Sequence, residues 1–143
     1  MTDDQAAVER EVSLALDAFR AGREAMARHF GVASAADVVR AVLDGARPRE
    51  GTTGEGLEYF VHGVGYTITL ADGGEVHLDA ERSGGECFKA YDVCLYLETA
   101  GHVARPDAAP VRTELQRRAE RGELVPVDHG AYLLPEGPAP TRG

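Results

Sequence analysis

The sequence predicts an α+β fold, because the spacing of its apolar residues changes twice along the chain. Apolar residues recur at helical spacing up to residue 45, at alternate positions from 57 to 80, and at helical spacing again from residue 87. We expect an N-terminal helical hairpin, a central antiparallel β-hairpin, a buried helix, and then a helix plus a short C-terminal β-hairpin. For 143 residues we expect one domain over 1–134 and a disordered tail over 135–143.

Capping residues and glycines set the limits of the N-terminal helical hairpin. Thr2 and Gln5 form a capping-box pattern that predicts the start of the first helix. Gly31, after the apolar Phe30, predicts its end. A second helix is expected after Ser34 and up to residue 45, and the glycine-rich stretch 47–56 is expected to be a loop.

The central hairpin is predicted from alternating residues on either side of a glycine-rich turn. A turn of about three residues at 72–74 places Leu70 opposite Val76 and Ile68 opposite Leu78. A shorter turn would mix apolar and polar residues on one face, so the longer one is preferred. The outward face then carries Thr67, Thr69, His77, Asp79 and Glu81.

A helix over 87–100 is expected to be largely buried, because apolar residues lie on both of its sides. Its Cys87 and Cys94 are seven positions apart, roughly 10 Å along a helix, too far for the Cα separation of about 7 Å that a disulfide allows. Pro110 predicts the first turn of another helix, which ends at Gly122. A short hairpin over 123–127 and 131–134 follows.

The charge of the chain indicates which partners to expect. The formal net charge is -9, which argues against general affinity for nucleic acids or anionic membranes and is compatible with a basic protein partner. No stretch is apolar enough to span a membrane, and the acidic N-terminus is unlike a signal peptide. We therefore expect a cytoplasmic protein with no membrane contact, its cysteines reduced.

One polar strand face could carry chemistry. His62 precedes Gly63-Val64-Gly65, and glycines beside a strand allow another backbone or a ligand to approach closely. His77, Asp79 and Glu81 share a face and, with His62, could bind a metal or act as acid and base. Such alternation is also the ordinary solvent face of an antiparallel sheet, with side chains that splay apart. Because CxxC, HExxH and GxSxG patterns are absent, we predict no catalytic residue, metal ligand or cofactor.

The C-terminal third has the element order of the latter part of a winged helix-turn-helix. Its second helix would then enter a DNA major groove, presenting Arg112, Arg117, Arg118 and Arg121. Glu114 and Glu120 interrupt this basic face, so the alternative is an amphipathic helix that packs the C-terminal hairpin onto the core.

The stretch from Tyr59 to Leu97 resembles an uncharacterised family of small bacterial proteins. The resemblance rests on His62-Gly63-Val64-Gly65 in a strand, Val76-His77-Leu78-Asp79 after a glycine-rich turn, and Phe88 and Tyr91 opening an apolar helix. It extends loosely to 122–124 and 131–133. Small acidic proteins of this kind are similar in size and charge to immunity proteins, which neutralise toxins made by the same cell; this likeness is one of class only.

Three functional hypotheses follow. The first is a non-enzymatic, immunity-like protein that binds a basic partner through Glu55, Glu58, Asp79 and Glu81, beside a polar strand face of His62, Thr67 and His77. The second is a nucleic-acid-binding regulator that uses the arginine-bearing helix. The third, least favoured, is a small metal-dependent enzyme that uses His62, His77 and Asp79.

Overall fold

Four helices accompany a seven-stranded antiparallel sheet in the computed structural model, which describes residues 3–81 and 85–135. The helices are α1 (Asp3–Phe30), α2 (Ala35–Leu43), α3 (Ala90–Thr99) and α4 (Ala108–Glu120). The strands are β1 (Glu50–Thr52), β2 (Glu58–Val61), β3 (Gly65–Thr69), β4 (Glu75–Ala80), β5 (Glu86–Phe88), β6 (Val125–Pro126) and β7 (Tyr132–Leu133). Their order in the sheet is β1-β2-β3-β4-β5-β7-β6. The predicted α+β class is confirmed.

The N-terminal helical hairpin forms as predicted. α1 ends at Phe30, and Gly31 follows with a φ of 71°, the left-handed conformation that favours glycine. The Ser34 side chain caps α2 by accepting a hydrogen bond from the backbone N–H of Asp37. The predicted cap at Thr2 lies outside the described residues.

Two strands occur where the sequence predicted other structure. β1 lies inside the stretch 47–56 that was expected to be a loop, and it pairs with β2 at the sheet edge. β5 includes Cys87 and Phe88, which were expected to begin a helix; α3 begins only at Ala90. β5 pairs with β4 on one side and β7 on the other. These long-range hydrogen bonds decide its conformation, and a local helical pattern cannot reveal them.

The β3–β4 hairpin has a register two residues away from the predicted one. Ile68 pairs with Val76 and Tyr66 with Leu78, which corrects the predicted pairs Leu70–Val76 and Ile68–Leu78. The turn does have three residues, but they are 71–73: the N–H of Leu70 donates to the carbonyl of Gly74 at 2.9 Å. Gly73 takes the left-handed conformation with a φ of 87°. Because the shift is even, Thr67, Thr69, His77 and Asp79 face outward as predicted, whereas Glu81 lies beyond the end of β4.

The core lies between the sheet and the helices. Tyr66, Ile68, Val76 and Leu78 are buried on the inner side of the sheet. α1 packs closely there, since a Cβ atom at Gly22 would lie 3.0 Å from the side chains of Ile68 and Val76. We call this side the inner face.

The C-terminal elements complete the sheet. α4 packs on α1 and α3, and Gly122 follows it with a φ of 78°. The predicted C-terminal hairpin forms from β6 and β7, with a single turn of 3₁₀ helix at Asp128–Gly130 between them. β7 joins the sheet by pairing with β5. Of the predicted disordered tail, residues 136–143 lie outside the described residues. No helix in the described ranges is long and apolar enough to cross a membrane.

Candidate functional site

The side of the sheet that points away from the helices carries mainly polar residues. We call this side, across β1 to β4, the outer face. Its residues on β1 and β2 are exposed, whereas the side chains on β3 and β4 are half-buried. The strand register and the turn after β2 place these residues on it: Glu50, Thr52, Glu58, Phe60, His62, Gly65, Thr67, Thr69, Glu75, His77 and Asp79.

Four outer-face residues form a continuous hydrogen-bonded row. Nε2 of His62 lies 2.8 Å from the Thr67 hydroxyl oxygen, which lies 3.0 Å from Nδ1 of His77. Nε2 of His77 then lies 3.0 Å from Oδ1 of Asp79. We call this row the histidine array. The expectation that these side chains splay apart is therefore wrong, because Thr67 lies directly opposite His77, and His77 and Asp79 share one face of β4.

Of the His62-Gly63-Val64-Gly65 motif, which was expected in a strand, residues 62–64 form the turn between β2 and β3, and Gly65 begins β3. The N–H of His62 donates to the carbonyl of Gly65 at 2.6 Å and closes the turn. A Cβ atom at Gly65 would lie 2.2 Å from the carbonyl oxygen of Leu78 and 2.7 Å from Oδ1 of Asp79. Gly65 therefore makes room for the Asp79 carboxylate that binds His77. Gly63 has no such neighbour within 4 Å.

Burial and neighbouring charges act on the groups in and around the array. Burial lowers the pKa of His62, and His77 and Arg49 add to this effect while Asp79 opposes it. On α3, burial raises the pKa of Asp92, which is opposed by the Lys89 backbone N–H and by His77.

Cys87 pairs with Asp79 across β4 and β5. Its burial and the carboxylates of Asp79, Glu81 and Asp92 raise its pKa to about 11. A thiol with this pKa is almost fully protonated at neutral pH, unlike a nucleophilic cysteine.

Carboxylates surround a shallow concavity beside the array. The concavity has a volume of about 460 Å³ and includes Glu50, Glu58 and Glu75 together with Phe60 and Thr67. Phe60 remains 37% exposed, and its ring centroid lies 4.8 Å from that of His62. An exposed aromatic ring among carboxylates suits a cationic group, because both attract positive charge.

The structure brings together some of the predicted partner-binding residues and separates another. Glu58 and Asp79 lie on the outer face, and Glu81 follows the end of β4. Glu55 instead forms an ion pair of 2.7 Å with Arg28 and joins the turn before β2 to α1.

Two outer-face carboxylates were missed by the sequence reasoning. Glu75 alternates in phase with His77 and Asp79 and could have been found from that pattern. Glu50 carried no such signal, because its strand was not recognised.

The arginine-bearing helix α4 uses half of its predicted DNA-binding side chains in internal contacts. Arg118 donates to Glu114 at 2.7 Å, to the carbonyl of Glu9 at 2.9 Å and to the hydroxyl of Ser13 at 3.0 Å, so it ties α4 to α1. Arg121 pairs with Glu123. Arg112 and Arg117 are exposed. The basic surface of this helix is thus narrower than the sequence suggested.

Metal-binding geometry is not found in the described part of the chain: no group of three histidine, cysteine or carboxylate side chains there could hold a metal ion. His62, His77 and Asp79 follow one another in a row through Thr67 and do not surround a common point. A ligand sphere needs its donor atoms to converge, and this row does not provide that.

Comparison with known proteins gives a family and no function. No curated protein matches the chain, and no solved structure matches it. Residues 9–134 match a family described as "Domain of unknown function (DUF6896)", a range that contains the histidine array and every strand of the sheet. The chain belongs to the DUF6896 family.

Proposed function

We propose that this protein is a non-enzymatic binding protein that recognises a basic surface of a protein partner through its outer face. An immunity-like protein that covers a basic toxin is the concrete form of this function, by its likeness in size and charge to that class. The free thiols of Cys87 and Cys94 agree with the cytoplasmic location that we predict.

The distribution of charge on the outer face carries the proposal. None of the outward positions on β1 to β4 holds lysine or arginine, whereas Glu50, Glu58, Glu75 and Asp79 occupy four of them. The nearest cation before these strands, Arg49, donates to the carbonyl of Val61 at 3.0 Å. The face therefore presents carboxylates of one sign, which attract and orient a basic partner.

The fold keeps this face available. α1, α2 and α3 pack against the strands on the inner face, and Glu50, Thr52, Glu58 and Phe60 are exposed. An antiparallel sheet with one side free of helices can accept a partner without rearrangement of its backbone. Phe60 supplies an exposed aromatic ring among the carboxylates, and aromatic side chains are enriched in protein interfaces.

Matched charge reversals test the proposal with an oligo-arginine peptide as the probe. Glu58→Lys with Glu75→Lys changes the outer face, and Glu98→Lys with Glu120→Lys makes the same change of net charge on exposed positions of α3 and α4. We expect the outer-face variant to lose at least about tenfold in affinity, or about 1.4 kcal/mol. The helix variant should stay close to the parent chain. Circular dichroism checks that both variants fold.

Two results would contradict the proposal. Equal losses in both variants would mean that the peptide responds to net charge alone. Binding of duplex DNA that is abolished by Arg112→Glu with Arg117→Glu would instead place function on α4, where salt-dependent affinity is expected.

A further inference from the structure

The hydrogen-bonding capacity of the histidine array fixes the direction of each of its bonds. An ionised Asp79 has no hydrogen to donate, so Nε2 of His77 is the donor in that pair and Nδ1 of His77 carries a lone pair. The Thr67 hydroxyl must then donate its single hydrogen to Nδ1 of His77. Its oxygen can only accept from Nε2–H of His62. Nδ1 of His62 is therefore left as the ring nitrogen of the array that can take up a proton without breaking a bond.

We propose that the histidine array is a proton relay that sets the charge of the outer face, with the Thr67 hydroxyl passing the proton from His62 to His77. The relay stands on the geometry alone. Its effect on partner binding rests on the proposed function.

The transfer conserves every atom. The incoming proton bonds to Nδ1 of His62, the Nε2 hydrogen of His62 moves to the Thr67 oxygen, and the Thr67 hydrogen moves to Nδ1 of His77. His62 ends neutral with its hydrogen on Nδ1, and His77 ends as an imidazolium. Thr67 still has one hydrogen, which now points to Nε2 of His62. Hydrogen bonds of 2.8 and 3.0 Å provide the path for both hops.

Surrounding charges favour a positive charge on His77, where the relay ends, over one on His62, where the proton enters. His77 lies 3.0 Å from the Asp79 carboxylate, and Asp92 acts on it from the start of α3. His62 has no direct contact with Asp79; the attraction of that carboxylate reaches it only from a distance and is partly offset by the positive charge of Arg49. Lys89 and the protonated thiol of Cys87 lie nearby, around Asp79 and Asp92. The positive charge is therefore more stable on His77 than on His62.

A second proton is strongly disfavoured. The two imidazole rings are 5.3 Å apart, centroid to centroid, and two positive charges at that separation repel each other in a half-buried site. This single positive charge, next to the carboxylates of the outer face, weakens the attraction for a basic partner in mildly acidic conditions.

Nitrogen NMR of the imidazole rings tests the relay without any partner, because the shifts distinguish protonated from unprotonated ring nitrogens. Signals are assigned with His62→Gln and His77→Gln. At about pH 8, above the ordinary histidine pKa of about 6.5, both rings should carry hydrogen on Nε2. On acidification His77 should become doubly protonated first, while the hydrogen of His62 moves to Nδ1.

Two substitutions at Thr67 separate the relay from simple packing. Thr67→Ser retains the hydroxyl, so protonation of His77 should still be accompanied by movement of the His62 hydrogen from Nε2 to Nδ1. The isosteric Thr67→Val lacks the hydroxyl and should abolish that movement. Double protonation of His62 before His77, or identical behaviour in Thr67→Val and the parent chain, would overturn the relay.

The regulatory effect is measured separately with the oligo-arginine peptide. Affinity should fall severalfold between about pH 7.5 and about pH 5.5, either side of the ordinary histidine pKa, and His77→Gln should flatten this dependence. An unchanged pH dependence in His77→Gln would overturn the regulatory role. If the peptide binds at neither pH, the proposed function fails, and the NMR result still decides the relay.

Discussion

The two faces of the sheet are built from the same strands but perform different tasks. On β3, Ile68 is fully buried against the helices while its neighbours Thr67 and Thr69 are half-buried on the outer face. On β4, Val76 and Leu78 alternate with His77 and Asp79 in the same way. One strand thus supplies both the packing that stabilises the fold and the polar groups of the site. Truncation of a side chain on these strands therefore acts mainly on stability or mainly on the site, according to its face.

The largest expected effect is a difference in stability between substitutions at two neighbouring residues of β3, one on each face of the sheet. Ile68→Ala removes a side chain that is 0% exposed and should lower the free energy of unfolding by about 2–5 kcal/mol. Thr69→Ala, on the outer face, should change it by less than about 0.5 kcal/mol. Urea unfolding followed by circular dichroism measures both. Similar losses at the two positions would mean that the outer face contributes to the core as much as the inner face does.

A smaller effect is expected from Gly63, in the turn between β2 and β3, and from Gly65, which begins β3. Gly65→Ala places a Cβ atom 2.2 Å from the Leu78 carbonyl oxygen, and the strands must shift apart at a cost of about 1–3 kcal/mol. Gly63→Ala enters open space and serves as the control. The ring nitrogen shifts of His77 should change in Gly65→Ala only, because Asp79 is displaced. A stable Gly65→Ala variant with unchanged His77 shifts would contradict the close approach of β3 and β4.

The smallest effect concerns pH. Because the folded state lowers the pKa of His62, the unfolded chain binds more protons between that lowered pKa and about 6.5. The contribution of His62 to the free energy of unfolding is therefore fully present above about pH 6.5. It is lost as the pH falls from there through the pKa of His62 in the folded state. His62→Gln does not titrate, so the parent chain should lose stability relative to it on acidification. Urea unfolding measures both proteins. A difference in the free energy of unfolding between the parent chain and His62→Gln that stays constant across this range would contradict a lowered pKa of His62.

The sequence predicted local features better than long-range ones. Ser34, Gly31 and Gly122 marked helix ends correctly, because caps and stops depend on a few adjacent residues. The inward and outward residues of β3 and β4 followed from alternation alone. Their pairing was displaced by two residues, since three consecutive positions of the turn, Asp72-Gly73-Gly74, offered more than one place for the left-handed residue.

The site was predicted in part for the same reason. Alternation placed Thr67, His77 and Asp79 on one face, but their hydrogen-bonded contact depends on the distance between strands, which one sequence does not specify. The position of His62 depends on the turn that closes onto Gly65. β1 and β5 were missed because three-residue strands have too few positions for a periodic signal and form through partners distant in the chain.

The place of β5 between β4 and β7 bears on how the chain folds during synthesis. β4 is available as soon as β5 emerges, but β7 follows only after both C-terminal helices have been made. Until then one side of β5 has backbone groups without partners, and such an edge can recruit strands from other chains. The hairpin of β6 and β7 therefore covers the open side of β5 late in synthesis. Until β7 pairs with β5, the nascent chain is exposed to aggregation at this edge.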